Sequence, residues 1–296
     1  MDKKLAPQPG LYENVTYEDY DSWDAVRPTV IKSLAKDGCA ERVKWEVDHG
    51  TGDTQATIIG NAFHTLVLQA ELFTERYIYR PRTYRGPAST KKDAPMIDKK
   101  WTGNAKACQA WLEEQKELGK HVLAPSESVH HPDTIIDGMA AAIEKHEWAK
   151  PLLSEGTPEL SIVWKDEASG MMCKARLDNV RGRVIVDLKT CMDASVEGVM
   201  KASYRYNYHI QAAMGFDGMK ALGQDPERYI FAFIRNKPPH LVNVVEAEEA
   251  ILEFGRAQYH YWLNIWAGCL KTGEYPGYNQ LDIGTLLLPP WAGSEL

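Results

Sequence analysis

The stretch that decides the fold is MMCKARLDNVRGRVIVDLKT, residues 171–190. Two runs with strand character flank the turn signal Arg181-Gly182, so the sequence predicts a β-hairpin closed by a two-residue loop. In the second arm Val184, Val186 and Leu188 share one face, which is typical of a strand that packs on a protein core.

The predicted register places two aspartates together on the other face. Asp178 lies opposite Ile185 and Arg176 lies opposite Asp187, so the two aspartates are diagonal neighbours, with backbones about 7–8 Å apart. Lys189 shares their face, because side chains alternate along a strand. Two carboxylates at this spacing can each contribute an oxygen to one divalent cation.

Carboxylates, a divalent cation and a lysine suit the hydrolysis of a phosphodiester. A cation polarises a phosphoryl oxygen and lowers the pKa of a water, while Lys189 can orient or deprotonate that water or bind the phosphate. Glu159, at the head of the preceding predicted strand, offers a third carboxylate. The bare spacing is equally compatible with a surface salt-bridge ladder formed by Asp178, Asp187 and Lys189.

Two polar residues in predicted helices are further candidates. His64 lies in the apolar stretch 58–73, which has helical spacing, and is either a core histidine or a metal ligand. Gln211 lies in the predicted helix 204–222, and is either a surface amide or a contact to the phosphate or the attacking water.

A basic run at residues 80–106 is predicted to form a loop or short helix, because Gly86-Pro87 and Ala94-Pro95 interrupt it. It is either a solvated loop or a set of sequence-independent phosphate contacts. The segment 201–208 mixes basic and aromatic residues, which either stack an unpaired base or pack a helix start. The candidate DNA contacts are Arg80, Arg82, Arg85, Lys91, Lys92, Arg176, Arg205 and Tyr208.

The composition of the whole chain argues against several classes of function. Its 296 residues include 34 Lys+Arg and 41 Asp+Glu, a net charge of −7 that argues against a protein that only coats nucleic acid. The five cysteines form no C-x-x-C pair, which disfavours zinc and iron–sulfur sites. No apolar run is long enough for a membrane span and the N-terminus lacks a signal pattern, so we expect a cytoplasmic protein without membrane contact.

The predicted element order is typical of a mixed α/β sheet with helices on both faces. We expect an N-terminal arm at residues 1–57, packed on a core of residues 58–296. Strands are predicted at 159–165, 171–180, 183–190, 228–235 and 241–246, and helices at 28–36, 58–73, 100–119, 126–148, 204–222 and 247–272.

Several segments, in this order, resemble the PDDEXK nuclease superfamily, and within it the RecE-like (exodeoxyribonuclease VIII) exonucleases of phage-type recombination. They are Gly60-Asn-Ala-Phe-His64, Glu159-x-Ser-Ile-x-Trp164, Cys173-x-x-Arg-x-Asp178, Asp187-Leu-Lys-Thr190, Tyr208-His-Ile-Gln211, the segment 269–277 and Leu288-Pro-Pro-Trp291. The resemblance implies a restriction-endonuclease-like (PDDEXK) mixed central sheet flanked by helices.

Site roles follow from the resemblance position by position. It implies that the metal is bound by His64, Asp178, Asp187 and the backbone carbonyl of Leu188. Lys189 would serve the nucleophilic water, Glu159 would lie farther from the metal, and Gln211 would begin a Q-x-x-x-Y motif. The sequence departs from that motif at Gly215, so the tyrosine is either absent or replaced by Phe216 or another ring.

The resemblance also implies an activity and partners. The activity is Mg²⁺-dependent digestion of linear double-stranded DNA in the 5′→3′ direction, with one or two ions per site and Mn²⁺ as a substitute. It leaves a 3′ single strand for a RecT-like annealing protein. The protein would form a homo-oligomeric ring, a tetramer, in a bacterial or phage-infected cell. Alternatives are another PDDEXK endonuclease and a catalytically silent DNA-end-binding module.

Overall fold

The computed structural model describes residues 4–52, 54–90, 92–125 and 134–278, together with residues 283, 285 and 287. Within them the helices are α1 (Tyr17–Ser22), α2 (Pro28–Asp37), α3 (Ala40–His49), α4 (Gln55–Leu68), α5 (Ala70–Arg76), α6 (Lys106–Glu117), α7 (Ile135–Lys145), α8 (Ala149–Ser154), α9 (Val196–Arg205), α10 (Tyr208–Ala221) and α11 (Glu249–Thr272). The strands are β1 (Lys4–Leu5), β2 (Gly10–Tyr12), β3 (Trp23–Asp24), β4 (Tyr77–Tyr79), β5 (Thr83–Pro87), β6 (Met96–Lys100), β7 (His121–Leu123), β8 (Thr157–Lys165), β9 (Met172–Arg181), β10 (Val184–Cys191), β11 (Arg228–Arg235) and β12 (Val242–Glu246).

A six-stranded sheet with the order β12-β11-β10-β9-β8-β2 forms the centre of the molecule. β10 and β11 are parallel and the other neighbours are antiparallel, so the sheet is mixed. The parallel pair needs a crossover, which α9 and α10 supply. This architecture confirms the predicted mixed sheet flanked by helices.

Two hydrophobic cores cover the two faces of the sheet. One face packs against α2, α10 and α11, and contains Ile185, Phe231 and Phe233. The other packs against α4, α7 and α8, and contains Val186 and Leu188. Both faces of β10 and β11 are therefore buried, which explains why these strands are rich in apolar residues on both sides.

The hairpin at the centre of the sheet has a different register from the prediction. Its loop is Gly182-Arg183 rather than Arg181-Gly182, so Val180 pairs with Ile185. Gly182 has φ of +59°, which a primed hairpin turn requires at its first central residue and glycine adopts without strain. The shift of two residues keeps every side chain on its predicted face.

Other element boundaries also differ from the predictions. Most of the basic run forms a two-stranded hairpin, β5–β6, with the interrupting Gly-Pro and Ala-Pro pairs toward its turn, so the predicted loop or short helix is wrong. The helix predicted over 100–119 begins only at Lys106, because β6 extends to Lys100 and residues 101–105 form a turn. The helix predicted over 126–148 is described only as α7, and residues 126–133 lie outside the described ranges.

The helix predicted over 204–222 is divided between α9 and α10. Asn207 between them has φ of +54°, a left-handed conformation that a continuous helix cannot contain. The long C-terminal helix α11 ends as predicted at Gly273, which has φ of +74°. No helix within the described residues is both long and apolar enough to cross a membrane.

The N-terminal segment packs on the central sheet and on its helices. Strand β2 pairs with β8 at one edge of the sheet, and α2 contacts α10 and α11. Val30, Ile31 and Leu34 anchor α2 in the core. This packing brings one polar residue of α2 to the site described below.

Candidate active site

The site lies where strands β9 and β10 separate. Their ladder ends at the pair Asn179 and Val186, and Asp178 and Asp187 would form the next pair. Instead, the backbone N–H of Leu188 donates to Oδ2 of Asp178 at 2.7 Å. A side-chain carboxylate of β9 therefore accepts a hydrogen bond from the backbone of β10, where the ladder would otherwise continue. Asp178 and Asp187 lie directly opposite each other at the opening, rather than diagonally as predicted.

Asp187 is almost completely enclosed, with 2% of its surface exposed. Its Oδ1 accepts hydrogen bonds from Nζ of Lys189 at 2.6 Å and from Nε2 of Gln211 at 3.1 Å. Burial raises the pKa of Asp187 to about 6, although Lys189 opposes the rise. Its Oδ2 is buried without a hydrogen-bond partner among the described residues. Such an atom is uncommon, and a bound cation would satisfy it.

Three further side chains offer ligand atoms to one point. A nitrogen of His64 and carboxylate oxygens of Glu159 and Asp178 all lie within 4.8 Å of one another. Nδ1 of His64 is 3.6 Å from Oδ2 of Asp178. This group contains Glu159 and not Asp187. The resemblance instead implies that His64, Asp178 and Asp187 bind the metal and that Glu159 lies farther from it.

His64 reaches this point from α4, which contacts both β9 and β10. Burial and the nearby Lys189 lower the pKa of His64 to about 4. The imidazole is therefore neutral at physiological pH, which is the form that binds metals.

Glu159 has a left-handed backbone inside a strand. Its φ is +51°, while its neighbours Pro158 and Leu160 pair normally with β9. Strain of this kind in a non-glycine residue persists only where the surroundings impose it, and it is concentrated at functional sites. Burial, with help from Asp178, raises the pKa of Glu159 to about 7.

This donor set fits a hard divalent cation. Carboxylate oxygens are the ligands that Mg²⁺ prefers, and an added imidazole is compatible with Mn²⁺. Oδ2 of Asp187, which has no hydrogen-bond partner among the described residues, offers a further ligand atom for the cation. The predicted ligand role of the Leu188 carbonyl stays a prediction. The backbone of Leu188 also forms a hydrogen bond with His64, which opposes the lowering of the pKa of that imidazole.

Lys32 is a site residue that the sequence interpretation missed. Its Nζ donates to Oε1 of Gln211 at 3.0 Å. The Nζ atoms of Lys32 and Lys189 lie 5.1 and 5.3 Å from the centre of the Tyr208 ring. Burial and Lys189 lower the pKa of Lys32 to about 8. No local pattern marks Lys32, because only the packing of α2 on α10 brings it here.

The missing tyrosine of the Q-x-x-x-Y motif has a packing explanation. A Cβ atom at Gly215 would lie 2.9 Å from the side chain of Leu177, so position 215 faces the core and has no room for a ring. Phe216 is also buried in that core, and the suggestion that it replaces the tyrosine is wrong. The ring beside the two lysines is Tyr208, three residues before Gln211.

The predicted DNA contacts lie in different environments. Arg176 is held by the protein, because its Nη2 donates to backbone oxygens of Val15 and Thr16. Arg80 lies over the ring of Trp101. The exposed side chains are Arg82, Arg85, Lys92 and Arg205, whereas Tyr208 is partly buried and Lys91 lies outside the described residues.

Comparisons with known proteins agree with this architecture. The family model of a PDDEXK-like domain of unknown function (DUF3799) matches residues 29–282. The crystal structure of a "putative exonuclease" from Eubacterium rectale superimposes with a TM-score of 0.58 at 14% identity, covering 94% of this chain and 96% of that one. At this identity the likeness shows the fold alone.

A second solved structure, that of SSO0001, is similar to only part of the molecule. It covers 35% of this chain and 49% of its own, with a TM-score of 0.23 at 14% identity, which is too small a likeness to inform the fold. No curated protein sequence matches the chain.

Proposed function

We propose a nuclease function for this chain, which belongs to the family of PDDEXK-like domains of unknown function (DUF3799). The observation that carries the proposal is the opening between β9 and β10. There a buried carboxylate oxygen without a hydrogen-bond partner in the described part of the chain faces a second carboxylate, beside a neutral imidazole and a strained glutamate. A surface salt-bridge ladder would leave no such unsatisfied buried atom.

The residues of the opening have separable roles in phosphodiester hydrolysis. His64, Asp178 and Asp187 would hold a divalent cation, with Glu159 beside them. When bound, Mg²⁺ supplies positive charge that polarises the phosphoryl group and stabilises the leaving oxygen. The strands and helix α4 hold these ligand atoms in place before substrate arrives, so little reorganisation accompanies the reaction.

Lys189 acts as a cation rather than as a base in this arrangement. Burial alone would lower its pKa, but the carboxylates of Asp187 and Asp178 raise it above its ordinary value. The side chain therefore carries an ammonium group at neutral pH. It can donate hydrogen bonds to the attacking water or to a phosphoryl oxygen, and Asp187 fixes its position.

The finer function that we propose is that of a RecE-like exonuclease. It digests one strand of linear duplex DNA in the 5′→3′ direction with Mg²⁺, and leaves a 3′ strand for a RecT-like annealing protein. The order of the sequence motifs supports this assignment. A tetrameric ring in the cytoplasm would enclose the duplex, and the exposed arginines of the β5–β6 hairpin would line its channel despite the net negative charge of the chain.

A digest of end-labelled DNA tests the proposal. The substrates are a linear duplex labelled at the 5′ or the 3′ end and a closed circular duplex, each with Mg²⁺ and with EDTA as control. A 5′→3′ exonuclease releases the 5′ label first, spares the circle and stops in EDTA. Cutting of the circle would indicate an endonuclease instead. Binding of ends without cutting would indicate a silent DNA-end-binding module.

A further inference from the structure

Lys32 is a cation in the site without a matching anion. Helix α2 presents it, and the one described hydrogen bond of its side chain is to a neutral amide, Oε1 of Gln211. Within the described part of the chain Lys32 has no ion-pair partner, and the charged groups that act on it are Lys189, Asp187 and Asp178. Lys32 as a residue is only partly exposed.

The charges of the site do not balance without a further anion. Glu159, Asp178 and Asp187 carry three negative charges when ionised. A divalent cation, Lys189 and Arg176, whose Nε lies 3.9 Å from Oε2 of Glu159, would more than offset them. Lys32 then keeps an uncompensated charge in a poorly solvated place, which is unfavourable unless a ligand supplies the counter-charge. The phosphodiester of a DNA strand is an anion of the required sign and size.

Lys32 also fixes the orientation of the neighbouring amide. An ammonium group only donates hydrogen bonds, so the carboxamide of Gln211 must turn its oxygen to Lys32 and its nitrogen to Asp187. One hydrogen of Nε2 is used on Asp187, and no acceptor for the second is found among the described residues. Lys32 and Gln211 therefore present donors to the same space, next to the ring of Tyr208.

We propose that Lys32 and Gln211 form a phosphate-binding subsite for the DNA strand that is cut. This inference rests on the proposed nuclease function and extends it to the N-terminal segment, which supplies one of the two donors. The ligand is a non-bridging phosphate oxygen of the strand. A charged donor from α2 and a neutral donor from α10 hold it beside the cation-binding residues.

The test replaces Lys32 with methionine, which keeps an unbranched side chain one heavy atom shorter and removes its charge. Lys36→Met is the matched control, because Lys36 lies one turn later on α2 and is exposed. Lys32→Arg restores the charge. The measurements are the affinity for a short linear duplex with Ca²⁺ in place of Mg²⁺, the single-turnover cleavage rate with Mg²⁺, and the affinity for Mn²⁺ without DNA.

Lys32→Met should weaken duplex binding by about tenfold and slow single-turnover cleavage by at least as much, the scale expected for one charge-assisted hydrogen bond. Lys32→Arg should recover part of both losses, and Lys36→Met should change neither. Mn²⁺ affinity without DNA should stay the same or increase, because a like charge has been removed. A purely structural role for Lys32 would instead weaken Mn²⁺ binding.

Two results would overturn the inference. One is duplex affinity and cleavage by Lys32→Met equal to those of the unaltered protein. The other is a matched loss of Mn²⁺ affinity and thermal stability. If the unaltered protein binds duplex but does not cut it, the proposed nuclease function fails, and the duplex-affinity comparison still decides the role of Lys32.

Discussion

Cation affinity should increase steeply with pH, because protons compete for the same carboxylates. In the cation-free site the pKa of Glu159 is raised to about 7 and that of Asp187 to about 6, in both cases chiefly by burial. A cation displaces these protons, so binding is weakened wherever the carboxyls are protonated. His64 does not contribute above pH 5, because its pKa is lowered to about 4.

The size of the effect follows from the two pKa values. Between pH 7.5 and pH 5.5, the fraction of sites with both carboxyls ionised falls by about 100-fold, and Mn²⁺ affinity should fall equally. Glu159→Gln removes one of the two carboxyl groups that take up a proton. The Mn²⁺ affinity of this variant should therefore change by only about fourfold between pH 7.5 and pH 5.5. The sign is fixed, because protonation of either carboxyl opposes the cation and binding tightens as pH rises.

Isothermal titration calorimetry with Mn²⁺ measures this dependence. Titrations in two buffers with different ionisation enthalpies also count the protons released, which should exceed one per cation at pH 5.5 and approach zero above pH 8. An affinity that does not change between pH 5.5 and 7.5 would refute the reasoning. So would an unaltered pH dependence in Glu159→Gln.

Four variants test the other site residues, the basic hairpin and the helix packing. Asp187→Ala should abolish Mg²⁺-dependent cleavage while duplex binding in a gel-shift assay persists, and retained cleavage would contradict the assignment. Lys189→Ala should slow single-turnover cleavage with little effect on cation affinity by calorimetry, whereas a large loss of affinity would place Lys189 in cation binding. Replacement of Arg82 and Arg85 by glutamine should shorten the tracts digested per binding event, and unchanged product lengths would remove the hairpin from the DNA path. Gly255→Ala should lower stability by about 1–3 kcal/mol, seen as a reduced Tm, because its Cβ would lie 2.1 Å from a backbone oxygen of α10; an unchanged Tm would show that the helices separate freely.

The sequence predicts the central sheet well, for a physical reason. Alternation and apolar runs report directly which strands are buried, and both properties are strong in β9, β10 and β11. The predicted hairpin register differs from the observed one by two residues, because Arg181-Gly182 and Gly182-Arg183 are both plausible two-residue loops. Only the requirement for a positive φ at the first loop residue distinguishes them. The β5–β6 hairpin was missed, since its short exposed strands carry little hydrophobic signal.

The site could be predicted only in part from the sequence. Asp178, Asp187 and Lys189 share a face in either register, so their proximity follows from strand geometry. The approach of His64 required the family resemblance, because nothing local relates α4 to the hairpin. Lys32 had no signal at all, since it joins the site through tertiary packing. The strained backbone of Glu159 is likewise invisible in a strand-like stretch.

The central claim is that His64, Asp178 and Asp187 bind one divalent cation. Anomalous diffraction from crystals soaked in Mn²⁺ tests this claim most directly. The account predicts a single strong anomalous peak in the opening between β9 and β10, within about 2.0–2.6 Å of donor atoms from His64, Asp178 and Asp187. An opening without a peak at saturating Mn²⁺, or a peak bound only by surface carboxylates elsewhere, would contradict it.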